Sequence, residues 1–307
     1  MVIHRLSPEH YKRELLKLIR GGEGFSGRIY ADRGGVPTIG FGYTLIVRRK
    51  GGEFQIRKGW SEEFKKAGIL LKQWQIDRVE EVMEWILEEG VSHNSTKRLL
   101  DEYYSTGGGL KITQTQGIDL FFVSIEWYQN FVKRKLGGAY KYYQQSKELI
   151  PLISIAYNRP VLFNNSRLIE AITGFDRIKS YLEIVYDSNP DQLLGIASRR
   201  KREGDYFQIW DGGEPTIEEA VHFFEIFNHS TIDGIPYYKF VREYEERFGA
   251  VFGKGREPVA YRGVPITTFA DKALDTLTDY YQVASVSVDR NNYYYGVRVE
   301  GDQIQFA

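Results

Sequence analysis

Cysteine is absent from all 307 residues, which excludes disulfides and thiolate metal sites and leaves the redox compartment unread. Net charge is absent too: 41 Lys and Arg balance 41 Asp and Glu, so no global field favours nucleic acid or an anionic membrane. Long apolar runs are missing. The first stretch, MVIHRLSPEHYKRELLKLIRGG, mixes charge into its apolar residues and offers neither a secretory core nor a membrane span. It reads as a chain made in the cytoplasm that does not export itself. The five histidines, His4, His10, His93, His222 and His229, have no HExxH or zinc-like spacing. The glycine runs lack GxxxxGK(S/T), and no Gly-x-Ser-x-Gly elbow occurs, so neither metal nor cofactor is expected. Aromatic residues are plentiful: 22 Tyr, 18 Phe and 5 Trp suit stacking on sugar rings as well as ordinary core packing.

Ser7-Pro8-Glu9 has the form of an N-cap with proline at the first helical position, and Tyr11, Leu15, Leu18 and Ile19 continue at helical spacing until Gly21-Gly22. From Ser26 to Val47 the text is β-like and broken by glycine, with Asp32-Arg33-Gly34-Gly35 as the turn of a hairpin. Gly40 and Gly42 would leave one strand face bare, open to a ligand or another backbone. A second hairpin is expected through Lys50-Gly51-Gly52. Beyond Ser61 the pattern is helical, with Trp74, Ile76, Val79, Val82, Met83 and Ile86 on one apolar face. Gly107-Gly108-Gly109 is a loop, and residues 115–157 form two or more helices with Gly137-Gly138 and Pro151 as breaks or kinks. Further helices are expected at 168–185, around Leu193 to Ile196, and across 216–250. The turn Asp211-Gly212-Gly213-Glu214-Pro215 marks a boundary between a domain of residues 1–211 and an accessory region, 212–307. That region is expected to end in a hairpin around Arg290-Asn291-Asn292, with Tyr293 to Tyr295 on its return strand.

The fragment GGEGFSGRIYADRGGVPTIGFGYT carries two acids and a hydroxyl, Glu23, Asp32 and Thr38. Cleaving a glycosidic bond asks for a proton-donating acid and for a carboxylate that acts as nucleophile or activates water. A Glu23 just past a helix C-terminus meets the negative end of the helix dipole and leans towards staying protonated. Asp32 is equally a favoured turn residue, and Thr38 equally a β-branched strand residue.

Glu23, Asp32 and Thr38, with Asp32 nine and Thr38 fifteen residues after Glu23, resemble the E…D…T pattern of phage-type lysozymes, glycoside hydrolase family 24. The words EGF, Tyr30 and Thr38-Ile39-Gly40-Phe41-Gly42 resemble that family's active-site hairpin. LISIAYN, ending at Asn158, is similar to its cleft-lining helix, and GIASRRKREGDYF, with Arg199, Arg200 and Glu203, to its arginine-rich closing helix. The three patches occur in family order between residues 8 and 207, with apparent insertions at 48–60 and 102–145. Tyr43 stands where many members have histidine, and Arg159-Pro160 follows Asn158 where a small residue and glycine are common.

The resemblance implies an α+β lysozyme-like fold, a small hairpin sheet facing a mostly helical lobe, and N-acetylmuramidase activity on bacterial peptidoglycan without a cofactor. It implies an inverting mechanism with Glu23 as general acid, Asp32 as base or stabiliser and Thr38 positioning water. Substrate contacts would come from Asn158, Tyr30, Arg199 and Arg200. Against these stand a hairpin-supporting Tyr30, a backbone-capping Asn158, and arginines in a helical ion pair with Glu203. Action on the wall would need a holin, an injection or secretion machine, or a larger parent polypeptide. The insertions and C-terminal region suit a phage endolysin or an antibacterial effector, whose partners would be delivery machinery and an immunity protein. The rivals are a non-catalytic peptidoglycan-binding or structural module on the same scaffold and a lytic transglycosylase.

Overall fold

The computed structural model describes residues 1–21, 24–49, 51–281, 297–300 and 303–306. Glu23 lies outside the described residues, as do the turn at 290–292 and Tyr293 to Tyr295. The architecture is α+β: helices dominate, and every described sheet is small and antiparallel. The chain divides into two compact units, one of residues 12–131 and one of residues 1–11 with 132–307.

The 12–131 unit holds most of helix α1 (Pro8–Arg20), whose N-terminus is capped by Ser7. The glycine-rich text then folds into a three-stranded sheet of β1 (Ser26–Ala31), β2 (Pro37–Gly40) and β3 (Tyr43–Thr44), in that order. Tyr30 pairs with Thr38 and Ser26 with Gly40, with a bulge between the two positions. The second hairpin is β4 (Ile46–Arg48) with β5 (Phe54–Ile56). Helices α2 (Trp60–Lys66), α3 (Gln73–Glu89), α4 (His93–Ser105) and most of α5 (Gln114–Leu136) complete the unit.

Its core joins Ile29, Ile39 and Leu45 of the hairpin region to Trp60, Phe64, Val79, Met83, Ile86 and Leu100 of the helices. Four of the six positions expected on one face of α3 are accordingly buried. Trp74 is not one of them. It is 51% exposed and covers the bare backbone of Gly108, whose missing Cβ would stand 3.5 Å from the indole. In the first turn of a helix, an aromatic can cover a glycine loop as readily as a core.

In the second unit the chain runs through α6 (Tyr140–Tyr143), α7 (Leu149–Asn158), α8 (Ser166–Thr173), α9 (Arg177–Leu182) and α10 (Leu194–Phe207). Pro151 does not break α7, which runs on to Asn158. It stands in the first turn, where its missing N–H has no intrahelical partner to lose. The turn at 211–215 lies inside this unit, which continues with α11 (Ile217–His229), α12 (Tyr237–Arg247) and α13 (Ile266–Tyr281). Thr216 and Glu219 form a reciprocal cap at the start of α11. The expected helical stretch at 216–250 is interrupted by a short hairpin, β6 (Thr231–Ile232) with β7 (Ile235–Pro236). Gly234 supplies the positive φ this turn requires. A last hairpin pairs β8 (Val297–Glu300) with β9 (Gln303–Phe306). Trp210, Phe223, Phe227 and Leu277 are among the buried residues of the unit.

Between α9 and α10 the backbone makes a π turn over Glu183–Asp187 and sets the Glu183 side chain wholly out of water. Burial and the neighbouring Asp187 carboxylate push Glu183 up to about 8, against the opposing pull of Arg167, whose Nε is 3.8 Å away. The native state therefore keeps a proton that the unfolded chain, with an ordinary value of 4.5, releases. Stability fully present below pH 4.5 is lost as pH rises through about 8. Glu183→Gln should remove this slope, which can reach about 1.4 kcal/mol per pH unit. Urea midpoints of wild type and variant at pH 5 and pH 8 check it, and parallel pH dependence in the two proteins would refute the assignment.

Candidate functional site

Asp32 closes the β1–β2 hairpin as a partly exposed turn residue. Its backbone N–H donates to Val36 O at 3.0 Å and its Oδ1 accepts from Val36 N at 2.7 Å, so one carboxylate oxygen is fixed by the turn. Among the described residues no hydrogen bond reaches Oδ2. The turn is held from outside by His93 at the start of α4, whose Nδ1 donates to Asp32 O at 2.7 Å. A carbonyl only accepts, so Nδ1 carries the ring proton and Nε2 is left as an acceptor when the ring is neutral.

Gly35 makes this docking possible. Its φ is +81°, and a Cβ there would fall 2.3 Å from the Ser92 carbonyl carbon and 2.6 Å from His93 N. Neither neighbour can yield without moving the helix start.

Thr38 sits on the return strand opposite Tyr30, buried to 3% exposure. Its hydroxyl donates to Val36 O at 2.9 Å and so offers only lone pairs to anything further. Tyr30 is half-buried and lines a pocket beside the hairpin. Gly40, at φ +68°, admits the backbone of α5 on its bare side, where Gly117 Cα would lie 3.7 Å from an added Cβ. Close approach at this strand is thus made by another backbone. Tyr43, in the position where histidine is common in the family resembled, donates its hydroxyl to Glu63 at 2.7 Å and lies under the Arg57 guanidinium. Arg57 and Glu63 also pair directly at 3.1 Å.

Asn158, Arg199 and Arg200 belong to the other unit and form a cluster of their own. Arg199 and Arg200 project from α10 onto Glu203 of the same helix, Arg199 Nε to Oε1 at 3.1 Å and Arg200 to Oε2. Ser154 of α7 adds a 2.5 Å hydrogen bond to Glu203 Oε1. Burial by itself would raise the Glu203 carboxyl, but Arg200 and Arg199 outweigh it and hold the group below the usual carboxylate range. Arg200 has no exposed surface; its Nε donates to Ser188 O at 3.1 Å and its last nitrogen, Nη2, to Asn158 Oδ1 at 2.8 Å. It acts on Asn158, at the end of α7, rather than presenting itself to solvent. Asn158 is half-buried with its amide oxygen committed to that bond.

The structure therefore gathers the predicted residues into two groups, Asp32 with Thr38 and Tyr30, and Asn158 with Arg199 and Arg200. Local spacing did not disclose His93, which reaches Asp32 across 61 residues. It also hid Glu148, a buried carboxylate bonded to Arg177 at 2.7 Å and to His4 at 2.6 Å. Such long-range partners leave no periodic signal. Among the described residues no group of three or more His, Asp or Glu is arranged to hold a metal. No helix of the described residues is long and apolar enough to cross a membrane. No protein-family model, curated protein or solved structure matches the chain.

Two substitutions separate the groups. Gly35→Ala should destabilise by more than about 1 kcal/mol, since it adds a positive-φ penalty to a backbone clash. Arg200→Met leaves the buried Glu203 without its closest cation and should cost about 3–5 kcal/mol. Urea midpoints at constant m-value check both, and a change within about 0.5 kcal/mol at either would show that the contact is dispensable.

Proposed function

We propose that the chain is a lysozyme-type glycoside hydrolase, an N-acetylmuramidase that cuts the β-1,4 bond between N-acetylmuramic acid and N-acetylglucosamine in bacterial peptidoglycan. The observation that carries the reading is the glycine-rich hairpin itself. It bears Asp32 at its turn with one oxygen anchored by Val36 and the other unengaged, and Thr38 on the return strand, in the order and spacing of phage-type lysozymes. Glu23 protonates the leaving oxygen, and Asp32 takes a proton from water or stabilises the oxocarbenium-like transition state. Thr38, whose own proton is held by Val36 O, accepts a hydrogen from that water. The resemblance adds Asn158, whose amide oxygen Arg200 holds, as a substrate contact.

Muropeptide analysis of purified peptidoglycan tests the proposal. Wild type should release reducing muramic ends, while Glu23→Gln and Asp32→Asn should each lose about 10²–10⁴-fold in rate with the fold intact. Anhydro-muramic ends would mark a transglycosylase instead. Products from neither wild type nor variants, with retained binding to the wall, would make this a binding module.

A further inference from the structure

Strand β1 is an edge of its sheet, and its outer side is covered in a particular way. Near its start, Ile112 N donates to Gly27 O at 2.9 Å, and Arg28 bridges Lys111. Further along, the Tyr104 hydroxyl from the end of α4 accepts from Ile29 N at 2.6 Å and donates to Leu110 O at 2.8 Å. Helix α4 thus stands off the strand by the length of a tyrosine. The space left between them is a pocket of about 620 Å³, lying wholly within the 12–131 unit. That volume is in the range of small-molecule sites.

Its polar lining is not self-neutralising. Arg28 rests its guanidinium over the Tyr104 ring at 5.3 Å, and among the described residues it has no carboxylate partner. Lys97, one turn before Asp101 on α4, forms no ion pair among the described residues, with Asp101 or with any other carboxylate. Two unpaired cations therefore face one carboxylate across a cavity that also has the rings of Tyr30 and Tyr104 in its wall. His93, with Nδ1 held by Asp32 O, keeps Nε2 as a hydroxyl acceptor.

We infer that this pocket binds a carboxylated saccharide, a sugar acid. Arg28 and Lys97 take the carboxylate, Asp101 and His93 Nε2 accept from ring hydroxyls, and the tyrosines supply an apolar face for the sugar ring. A neutral sugar would leave both cations unmatched. A simple dianion would meet Asp101 unfavourably. The inference goes beyond glycosidic cleavage: Arg28, Lys97 and Asp101 have no part in that chemistry, although Tyr30 and, through Asp32 O, His93 join the pocket to the hairpin.

Calorimetric titration of the full chain with glucuronic acid and N-acetylmuramic acid, each beside its neutral counterpart, glucose and N-acetylglucosamine, tests the inference. Sugar acids should bind at least about tenfold more tightly than the neutral sugars and lose affinity as salt is raised. The Arg28→Gln/Lys97→Gln variant should weaken sugar-acid binding by about tenfold or more. Both side chains are exposed, so folding should be retained; the two single variants give the same readout if the double variant melts early. Absence of sugar-acid binding, equal binding of the neutral sugars, or unchanged binding by the variants would overturn the assignment. Wall cleavage without sugar-acid binding would refute the pocket and leave the muramidase reading standing. Sugar-acid binding without wall cleavage would do the reverse.

Discussion

Helix α10 carries its charges into the interior, and the surrounding unit is organised by that constraint. Arg199, Arg200, Lys201 and Glu203 are all withdrawn from water. Removing an ion from water costs several kcal/mol unless a counter-charge and hydrogen bonds meet it. Glu203 is met by the two arginines and Ser154, and Lys201 by Asp205 and the Tyr181 hydroxyl, at 2.6 and 2.7 Å. The packing is close enough that a Cβ on Gly204 would fall 2.3 Å from Val185, and one on Gly263 would strike the Lys201 stem. Residues as far along as Tyr261 are drawn in, its hydroxyl donating to Asp205 at 3.0 Å. A residue beyond the turn at 211–215 is thus tied to the same ions as the helix before it.

The 12–131 unit solves a different problem, which is to hold a short turn still. A two-strand hairpin is weak alone, and this one is stiffened where it meets the start of α4. Gly35 lets the turn come against Ser92 and His93, and the imidazole proton closes the contact on Asp32 O. The carboxylate is then oriented by backbone geometry rather than by another charged side chain.

Much of this was legible in the sequence, and the particular failures are instructive. The Asp-x-Gly-Gly turn and the helix start at Ser7-Pro8 are short-range effects of φ preference and capping, and both are where the text places them. The second hairpin also forms as read. The spacing of Trp74 alone reads as core, yet the glycine loop that follows α4, two helices further along the chain, gives it a different surface to cover. Helix α13 had an available signal: Ile266, Ala270, Ala273 and Leu277 are all buried at helical spacing, but alanine is too small to stand out as an apolar stripe. The pairing of Arg200 with Glu203 is a local i, i+3 contact and was foreseeable, whereas its grip on Asn158 depends on how α7 and α10 pack. The pocket beside β1 was invisible, because its cations and tyrosines come from two elements some seventy residues apart.

The tryptophans give each unit its own optical signature. Trp60 is buried in one unit, with its indole N–H donating to Glu80, and Trp210 is buried in the other against Phe223 and Phe269. Trp74, Trp85 and Trp127 are open to water and emit at long wavelength whether or not the chain is folded. The blue part of the fluorescence spectrum therefore comes from two sources alone. Replacing either by phenylalanine leaves a single buried tryptophan beside the three exposed ones, and its red shift times the unfolding of one unit without reference to the other, a separation that the complete absence of cysteine, and hence of disulfide constraint, leaves undisturbed.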